Sequence, residues 1–297
     1  MFPKLSPDNK YICWLGMERD GYESDINRLY IFNFETKEKY YITEGLETFI
    51  SSFCWSLDSK IIFFTAVWDG LYQVYKTDTI NRKVEKVISE ISDFNNLTIF
   101  DNEHILATKY SMIKPKDIYL INITNKNIKQ LTFINKAILD EIKPSKIEKR
   151  MVETFDKKQM LCWVIYPPDF DKSKKYPTIL HCQWGPQVGV TQYSMNFSLI
   201  ASHGYIVISP NRRGLPGFGR EWLEEISGDY YNCCMKDYLS AMDDISKENY
   251  VDKEKLGAVG ASFGGSSVFM LEGIHEKRFK AFVSHAGVFN YESDFRN

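Results

Sequence analysis

The chain has 297 residues, 44% of them hydrophobic and 26% charged. That is the balance of a globular chain with a sizeable core, long enough for about two domains. Its formal net charge of −2 offers no basic field to hold nucleic acid or an anionic membrane, so both are excluded as partners.

Residues 1 to about 140 carry strand signals and almost no helical periodicity. The opening MFPKLSPDNKYICWLG lacks the charged and apolar parts of a signal peptide. Three stretches resemble one another, starting near Ser6, Ser56 and Phe100. Each opens with a polar turn, runs through an apolar strand, turns, and gives a second strand rich in Tyr, Ile and Phe. A third strand follows the turns ETK, TINR and TNKN. A period of about 45 residues with this strand content suits propeller blades. Domain one is therefore expected over 1–140 as a partial β-propeller of about three blades. It is expected to begin inside a blade, with no preceding strand.

From about Lys146 the rhythm changes. Strands are expected at Arg150–Phe155, Met160–Tyr166, Thr178–Gln183, Tyr205–Ser209, Leu256–Ala261 and Lys280–His285. Helices are expected at Ser198–His203, Met235–Glu248 and Phe263–His275. Strand–helix alternation argues a mostly parallel sheet over 146–297. No apolar run approaches the roughly 18 residues of a transmembrane helix. The six cysteines, at 13, 54, 162, 182, 233 and 234, have no metal-ligand spacing and read mostly as buried thiols. No metal or cofactor is expected.

The stretch LGAVGASFGGSSVFM, Leu256–Met270, holds a Gly-x-Ser-x-Gly between an expected strand and an expected helix. That context suits a nucleophile elbow: a sharp turn would hold Ser262 in a strained conformation with its hydroxyl exposed. Gly260 and Gly264 would be needed because side chains there would meet neighbouring backbone. The N–H of Phe263, at the positive end of the helix, is the expected oxyanion donor. A second donor is expected from the loop TILHCQWGPQ, with Gln183 or the N–H of Trp184 as candidates. Pro186 ends that turn.

Together, GASFGG (260–265), QWGP (183–186), NRRGLPGFG (211–219) and ISGDYYNCCMKDYLSAMDDI (226–245) resemble the prolyl oligopeptidase family of serine peptidases. Its type-5 dipeptidyl peptidase and acylaminoacyl-peptidase-like members are the most similar in texture. The resemblance implies an α/β hydrolase domain, here C-terminally incomplete, preceded by part of an all-β propeller. It implies cleavage of short peptides through an acyl-enzyme on Ser262, by dipeptidyl or aminoacyl release. It implies a periplasmic or secreted setting and leaves room for a homodimer. Arg213 and Gly214 match an Arg-Gly that braces the oxyanion site. Gln183 stands where relatives carry Tyr or His. Tyr231-Asn232 stands where relatives usually have Gly-Gly, so strain is expected at Tyr231 if that turn needs positive φ.

The base for Ser262 is the open question. On this fold the order is Ser, then Asp or Glu, then His. The family's Asp and His are expected beyond Asn297, which makes the chain read as an internal fragment. Of the five histidines, His285 ends a strand beside the elbow strand and would line or support the site. Asp294 and Glu292 could orient it only by an unusual route. The acidic loop Glu18–Glu23 is a candidate for holding a substrate amine. Two alternatives stand beside the peptidase: a catalytically incomplete or non-catalytic binding protein, and an esterase on the same fold.

Overall fold

The computed structural model describes residues 3–22, 24–185, 194–290 and 292. They divide into two compact units, one built on 3–141 with 216–221, the other on 142–185, 194–215 and 222–292.

The first unit is three antiparallel four-stranded sheets in chain order. The first has β1 (Lys4–Leu5), β2 (Tyr11–Gly16), β3 (Arg28–Asn33) and β4 (Lys39–Tyr41). The second has β5 (Ile50–Trp55), β6 (Ile61–Trp68), β7 (Leu71–Asp78) and β8 (Val84–Lys86). The third has β9 (Asp93–Ile99), β10 (His104–Ser111), β11 (Lys114–Asn122) and β12 (Ile128–Gln130). In each, sequential strands are sheet neighbours, so every connection is a local turn.

Strand alternation explains how the sheets stack. Phe53, Trp55, Ile62, Phe64 and Tyr75 pack in one core with Cys13, Leu29 and Ile31 of the first sheet. Their neighbours Cys54, Phe63 and Val74 pack in a second core with Phe94, Ile105 and Ile121 of the third. The middle sheet is covered on both faces, which is why β6 reads as the run IIFFTAV, apolar but for buried Thr65.

The repeat is also chemical. Asn33, Asp78 and Asn122 each end the third strand of a sheet and accept backbone N–H bonds from the two turn residues that follow one place on. Lys37, Arg82 and Lys126 close those turns at φ of 62°, 58° and 63°.

Two expectations need correction here. Each sheet has four strands, not three. A strand does precede the first polar turn: β1, paired with β2 from Lys4↔Cys13. The markers at Ser6 and Ser56 lie after the first strand of a sheet, so the period was legible and its phase was not. The first strands hide because β1 has two residues and β5 and β9 (ISSFCW, DFNNLTI) interleave polar side chains.

After a short exposed helix, α1 (Lys136–Glu141), the second unit forms one six-stranded sheet. Its strands are β13 (Ile147–Glu153), β14 (Gln159–Ile165), β15 (Tyr176–Cys182), β16 (Ile206–Pro210), β17 (Val251–Ala261) and β18 (Ala281–His285). The order is β13-β14-β16-β15-β17-β18. β13, β14 and β16 pair antiparallel; β16, β15, β17 and β18 pair parallel. The helices are α2 (Met195–Ser202), α3 (Arg220–Glu224), α4 (Asn232–Ile245) and α5 (Phe263–Ile274). Central β16 is buried at every residue, whereas β18 at the sheet edge alternates exposed and half-buried. β17 begins five residues before its expected start. The register shifts there between Tyr176 and Thr178, and the extra residues 252–255 are largely exposed.

Candidate active site

The parallel strands β15, β17 and β18 end together, and the chain turns from β17 into α5 at Ser262. Ser262 has φ 53° and ψ −121°, outside the regions a non-glycine residue normally occupies. Such a conformation costs on the order of 1–3 kcal/mol and persists only where its surroundings enforce it. They do so through the backbone. The Ser262 N–H donates to the His285 carbonyl at 3.0 Å, and the Ser262 carbonyl accepts from Ser266 N–H at 3.0 Å.

Sterics complete the elbow. A Cβ at Gly260 would lie 2.3 Å from the Gly264 carbonyl oxygen, and one at Gly264 would lie 2.3 Å from the Cys182 carbonyl oxygen. α5 thus begins in contact with the end of β15, an approach that only glycine permits. Ser262 is exposed. It is the N-cap of α5, yet its side chain makes no capping bond, so Oγ is not spent on the helix as an N-cap hydroxyl usually is. Among the described residues, no group hydrogen-bonds Ser262 Oγ.

The expected oxyanion donors are placed as follows. The Phe263 N–H donates to the Trp184 carbonyl at 3.1 Å, so an oxyanion there would have to displace that carbonyl. Gln183 is fully buried; its N–H donates to Tyr238 Oη at 2.8 Å and its Nε2 to Ser209 Oγ at 2.7 Å. Both donors are committed to the protein interior, which sets Gln183 apart from the oxyanion position the sequence suggested. Trp184 is 47% exposed. Pro186, and Asp294 in the tail, lie outside the described residues.

His285 pairs with Ala261 across β17 and β18. Its carbonyl holds the Ser262 N–H, and its side chain is exposed. The support it gives the elbow is through the backbone.

The two arginines after β16 divide the work in a way that sequence reasoning missed. Arg213 turns to carboxylates. Its Nε and Nη2 meet Asp237 at 2.8 and 2.9 Å, and it also pairs with Asp156 at 2.9 Å and Glu225 at 3.0 Å. The Arg213 guanidinium holds the Asp156 carboxyl down at about 2. Burial pushes the Asp237 carboxyl up, against the pull of Arg213. Gly214 follows at φ 87°, where a Cβ would lie 2.8 Å from Ile226.

Arg212 turns to the elbow. It is fully buried, donates from Nη2 to the Gly185 carbonyl at 2.8 Å and from Nε to Tyr238 Oη at 3.1 Å, and places its guanidinium 4.6 Å from the Phe263 ring. NRRG names two arginines without saying which meets the site. The partners of both lie far away in sequence.

Tyr231 needs no strain. Its φ is −121°, and its ring stacks on Phe263 at 5.4 Å and 11°. Tyr230 adds an edge contact to the same ring at 5.6 Å. Cys233 and Cys234 are free thiols, as are the other four. Of the six, only Cys233 is partly exposed. A native-state thiol titration with Ellman's reagent should therefore give one fast thiol per chain, lost in Cys233→Ser, with the other five released only by denaturant.

In the first unit, the acidic loop is folded around buried Asp25, which accepts the N–H groups of Glu18 and Arg19 at 2.8 and 2.7 Å. Glu18 pairs with Arg28 at 3.2 Å. The loop lines a cavity of about 490 Å³ with Asn27, Phe49 and Tyr72. Glu23 lies outside the described residues.

Known proteins resemble this chain in sequence and in fold. The chain is 44% identical over 297 residues to dipeptidyl-peptidase 5 of Porphyromonas gingivalis, covering 99% of this chain and 43% of that protein. The dipeptidyl-peptidase 5 of Porphyromonas endodontalis is 43% identical over 296 residues, with the same coverage. The chain thus spans less than half the length of these relatives. Among solved structures, the acylaminoacyl peptidase of Pyrococcus horikoshii superposes with a TM-score of 0.84 at 21% identity, over 97% of this chain and 45% of that one. An acylaminoacyl peptidase in complex with Z-Gly-Gly-Phe-chloromethyl ketone gives 0.85 at 21% identity, over the same shares. These likenesses concern the fold, a β-propeller with an α/β hydrolase. Residues 191–297, which contain the elbow, match the model of the prolyl oligopeptidase family.

Proposed function

We propose that this chain carries the nucleophile of a serine peptidase acting on short peptides. The observation that carries the reading is Ser262: an exposed serine in a strained elbow, enforced by glycines on both sides, with its hydroxyl uncommitted. Ser262 Oγ attacks the scissile carbonyl while a base takes its proton. The oxyanion of the tetrahedral intermediate takes the Phe263 N–H from the Trp184 carbonyl, which turns aside. The C–N bond then breaks, the amine leaves with the proton, and water hydrolyses the acyl-enzyme. Dipeptidyl release is the favoured outcome because relatives at 44% and 43% identity are named dipeptidyl-peptidase 5.

The proposal needs a base. None of the described residues bonds Ser262 Oγ, so the base is sought first in the part of the relatives that this chain does not span. His285 is the second place to look.

The test is labelling with a fluorophosphonate, which needs an activated serine. The samples are this chain, the full product of its reading frame, and Ser262→Ala and His285→Ala in each. The full product should label, and Ser262→Ala should abolish labelling and lower peptidase turnover by more than about 10⁴-fold. Labelling that persists in Ser262→Ala, or a folded full product that never labels, would refute the reading. Labelling of this chain that disappears in His285→Ala would name His285 as the base. Dipeptides released from a longer peptide favour the peptidase, and turnover confined to esters favours the esterase.

A further inference from the structure

The geometry points to Arg212 as the positioning residue of the oxyanion site. It presupposes Ser262 as nucleophile and goes beyond that reading in naming what holds Phe263 and the loop against it in place.

One buried guanidinium reaches the two segments that meet at the elbow, by two direct contacts and one through Tyr238 of α4. Nη2 holds the Gly185 carbonyl at 2.8 Å, on the loop after β15. Nε donates at 3.1 Å to Tyr238 Oη, which also accepts the Gln183 N–H at 2.8 Å, on the same loop. The guanidinium carbon lies 4.6 Å from the ring centroid of Phe263, whose N–H is held by the Trp184 carbonyl. A fourth contact, Nη1 to the Arg213 carbonyl at 2.8 Å, anchors the fork to its own backbone. Arg212 thus joins residues 183, 185 and 263, which are separate in sequence.

A planar fork with fixed donors suits this task, and a lysine could not make the same set of bonds. An oxyanion donor gives most when little around it has to reorganise, and Arg212 fixes residues 183 and 185 on either side of Trp184, so that freeing the Phe263 N–H is confined to the Trp184 carbonyl. No hydrogen bond joins Arg212 to Ser262, so it acts through Phe263 and the 183–185 loop. Its positive charge, held away from water, also favours negative charge developing nearby. Arg213, one residue on, is turned to Asp237, Asp156 and Glu225 and does none of this.

The experiment uses the full product of the reading frame, with p-nitrophenyl butyrate as substrate and active sites titrated by fluorophosphonate. Arg212→Lys and Arg212→Met should lower kcat per titrated site by roughly 10- to 100-fold, with KM within about threefold. Tyr238→Phe, which removes the hydroxyl linking Arg212 to Gln183 at little change in shape, should lower kcat at least threefold. Arg150→Met serves as the control. It breaks an ion cluster with Asp244 and Glu248 elsewhere in the same unit and should leave kcat per site unchanged even where it lowers stability.

A merely structural Arg212 would reduce the folded fraction and leave kcat per titrated site within twofold. That result, or a rise in KM alone, would overturn the assignment. If both Arg212 variants fail to fold, unchanged kcat in Tyr238→Phe overturns it by itself. A parent protein that folds but neither labels nor turns over refutes the Ser262 reading instead, and is told apart from these outcomes because no variant enters into it.

Discussion

Gly264→Ala is expected to destabilise the hydrolase unit by about 3 kcal/mol or more, while Gly273→Ala, nine residues along the same helix, stabilises it by about 0.5–1 kcal/mol. The two glycines face opposite circumstances. At Gly264 the new Cβ would lie 2.3 Å from the Cys182 carbonyl oxygen and 2.9 Å from that of Gln183. Both are backbone atoms at the end of a central strand, so neither can rotate away. The helix must lift off β15 or the strand must bend. Either motion also moves Phe263, so fluorophosphonate reactivity should fall with stability. At Gly273 nothing lies within 4 Å of the added Cβ. The alanine there restricts only the unfolded chain and improves helix propensity. Urea denaturation followed by circular dichroism measures both, as opposite shifts of the midpoint at constant slope. A Gly264→Ala protein as stable as its parent would mean that the close approach of α5 to β15 is not a constraint of the fold.

That contrast shows why the elbow could be read from sequence and its surroundings could not. Gly260, Ser262 and Gly264 are legible because the constraint is local: strand, sharp turn and helix occupy adjacent residues, and the glycine spacing follows from sterics. The roles of Arg212 and Arg213 depend on Asp237, Tyr238 and Gly185, brought together by pairing of β14, β15 and β16. No spacing rule in NRRG separates the two. Gln183 carries the same lesson. Its place after an apolar strand suggested a donor to substrate, but the interior behind it offers Tyr238 and Ser209, and a buried amide takes the partners it is packed against.

Tyr231 was an expectation borrowed from glycines in relatives. Its ordinary φ shows that this chain enters α4 without a left-handed residue at 231, and its ring gives Phe263 a stacking partner. In the first unit, the period of the sheets was legible in recurring turn chemistry at Asn33, Asp78 and Asn122. Their phase was not, because β1 has two residues and the adjacent polar pairs Ser51-Ser52 in β5 and Asn95-Asn96 in β9 break the alternation that marks a strand.

Asp237→Ala should cost roughly 3–5 kcal/mol, near the largest effect of any single ionic change in this chain. Asp237 is fully buried and accepts three bonds from Arg213: the backbone N–H at 2.9 Å, Nε at 2.8 Å and Nη2 at 2.9 Å. Removing it leaves a guanidinium at 3% exposure with Nε and a backbone N–H unpaired, and the cost of that burial exceeds the worth of the lost pair. Asp237→Asn keeps one acceptor and should lose less. Arg213→Met with Asp237→Leu removes both charges and should recover much of the loss, as buried pairs replaced by apolar residues of similar volume often do. If Asp237→Ala alone is neutral in urea denaturation, Arg213 is satisfied by water or by Asp156 and Glu225, and the network is not a stability determinant.

Acid offers an independent reading of the same network. Asp156 is held at about 2, against 3.8 for a free aspartate, chiefly by its hydrogen bond from Arg213. A carboxyl lowered on folding contributes stability above its unfolded value and loses it as pH falls through its folded value. The contribution of Asp156 should therefore be intact above about pH 4 and drain away between about pH 4 and 2. In Asp156→Asn that part of the acid-induced loss should disappear. Removing Asp237 leaves the Arg213–Asp156 bond in place, so an acid window that survives in Asp237→Ala, at lower overall stability, would separate the two carboxylates that one arginine holds.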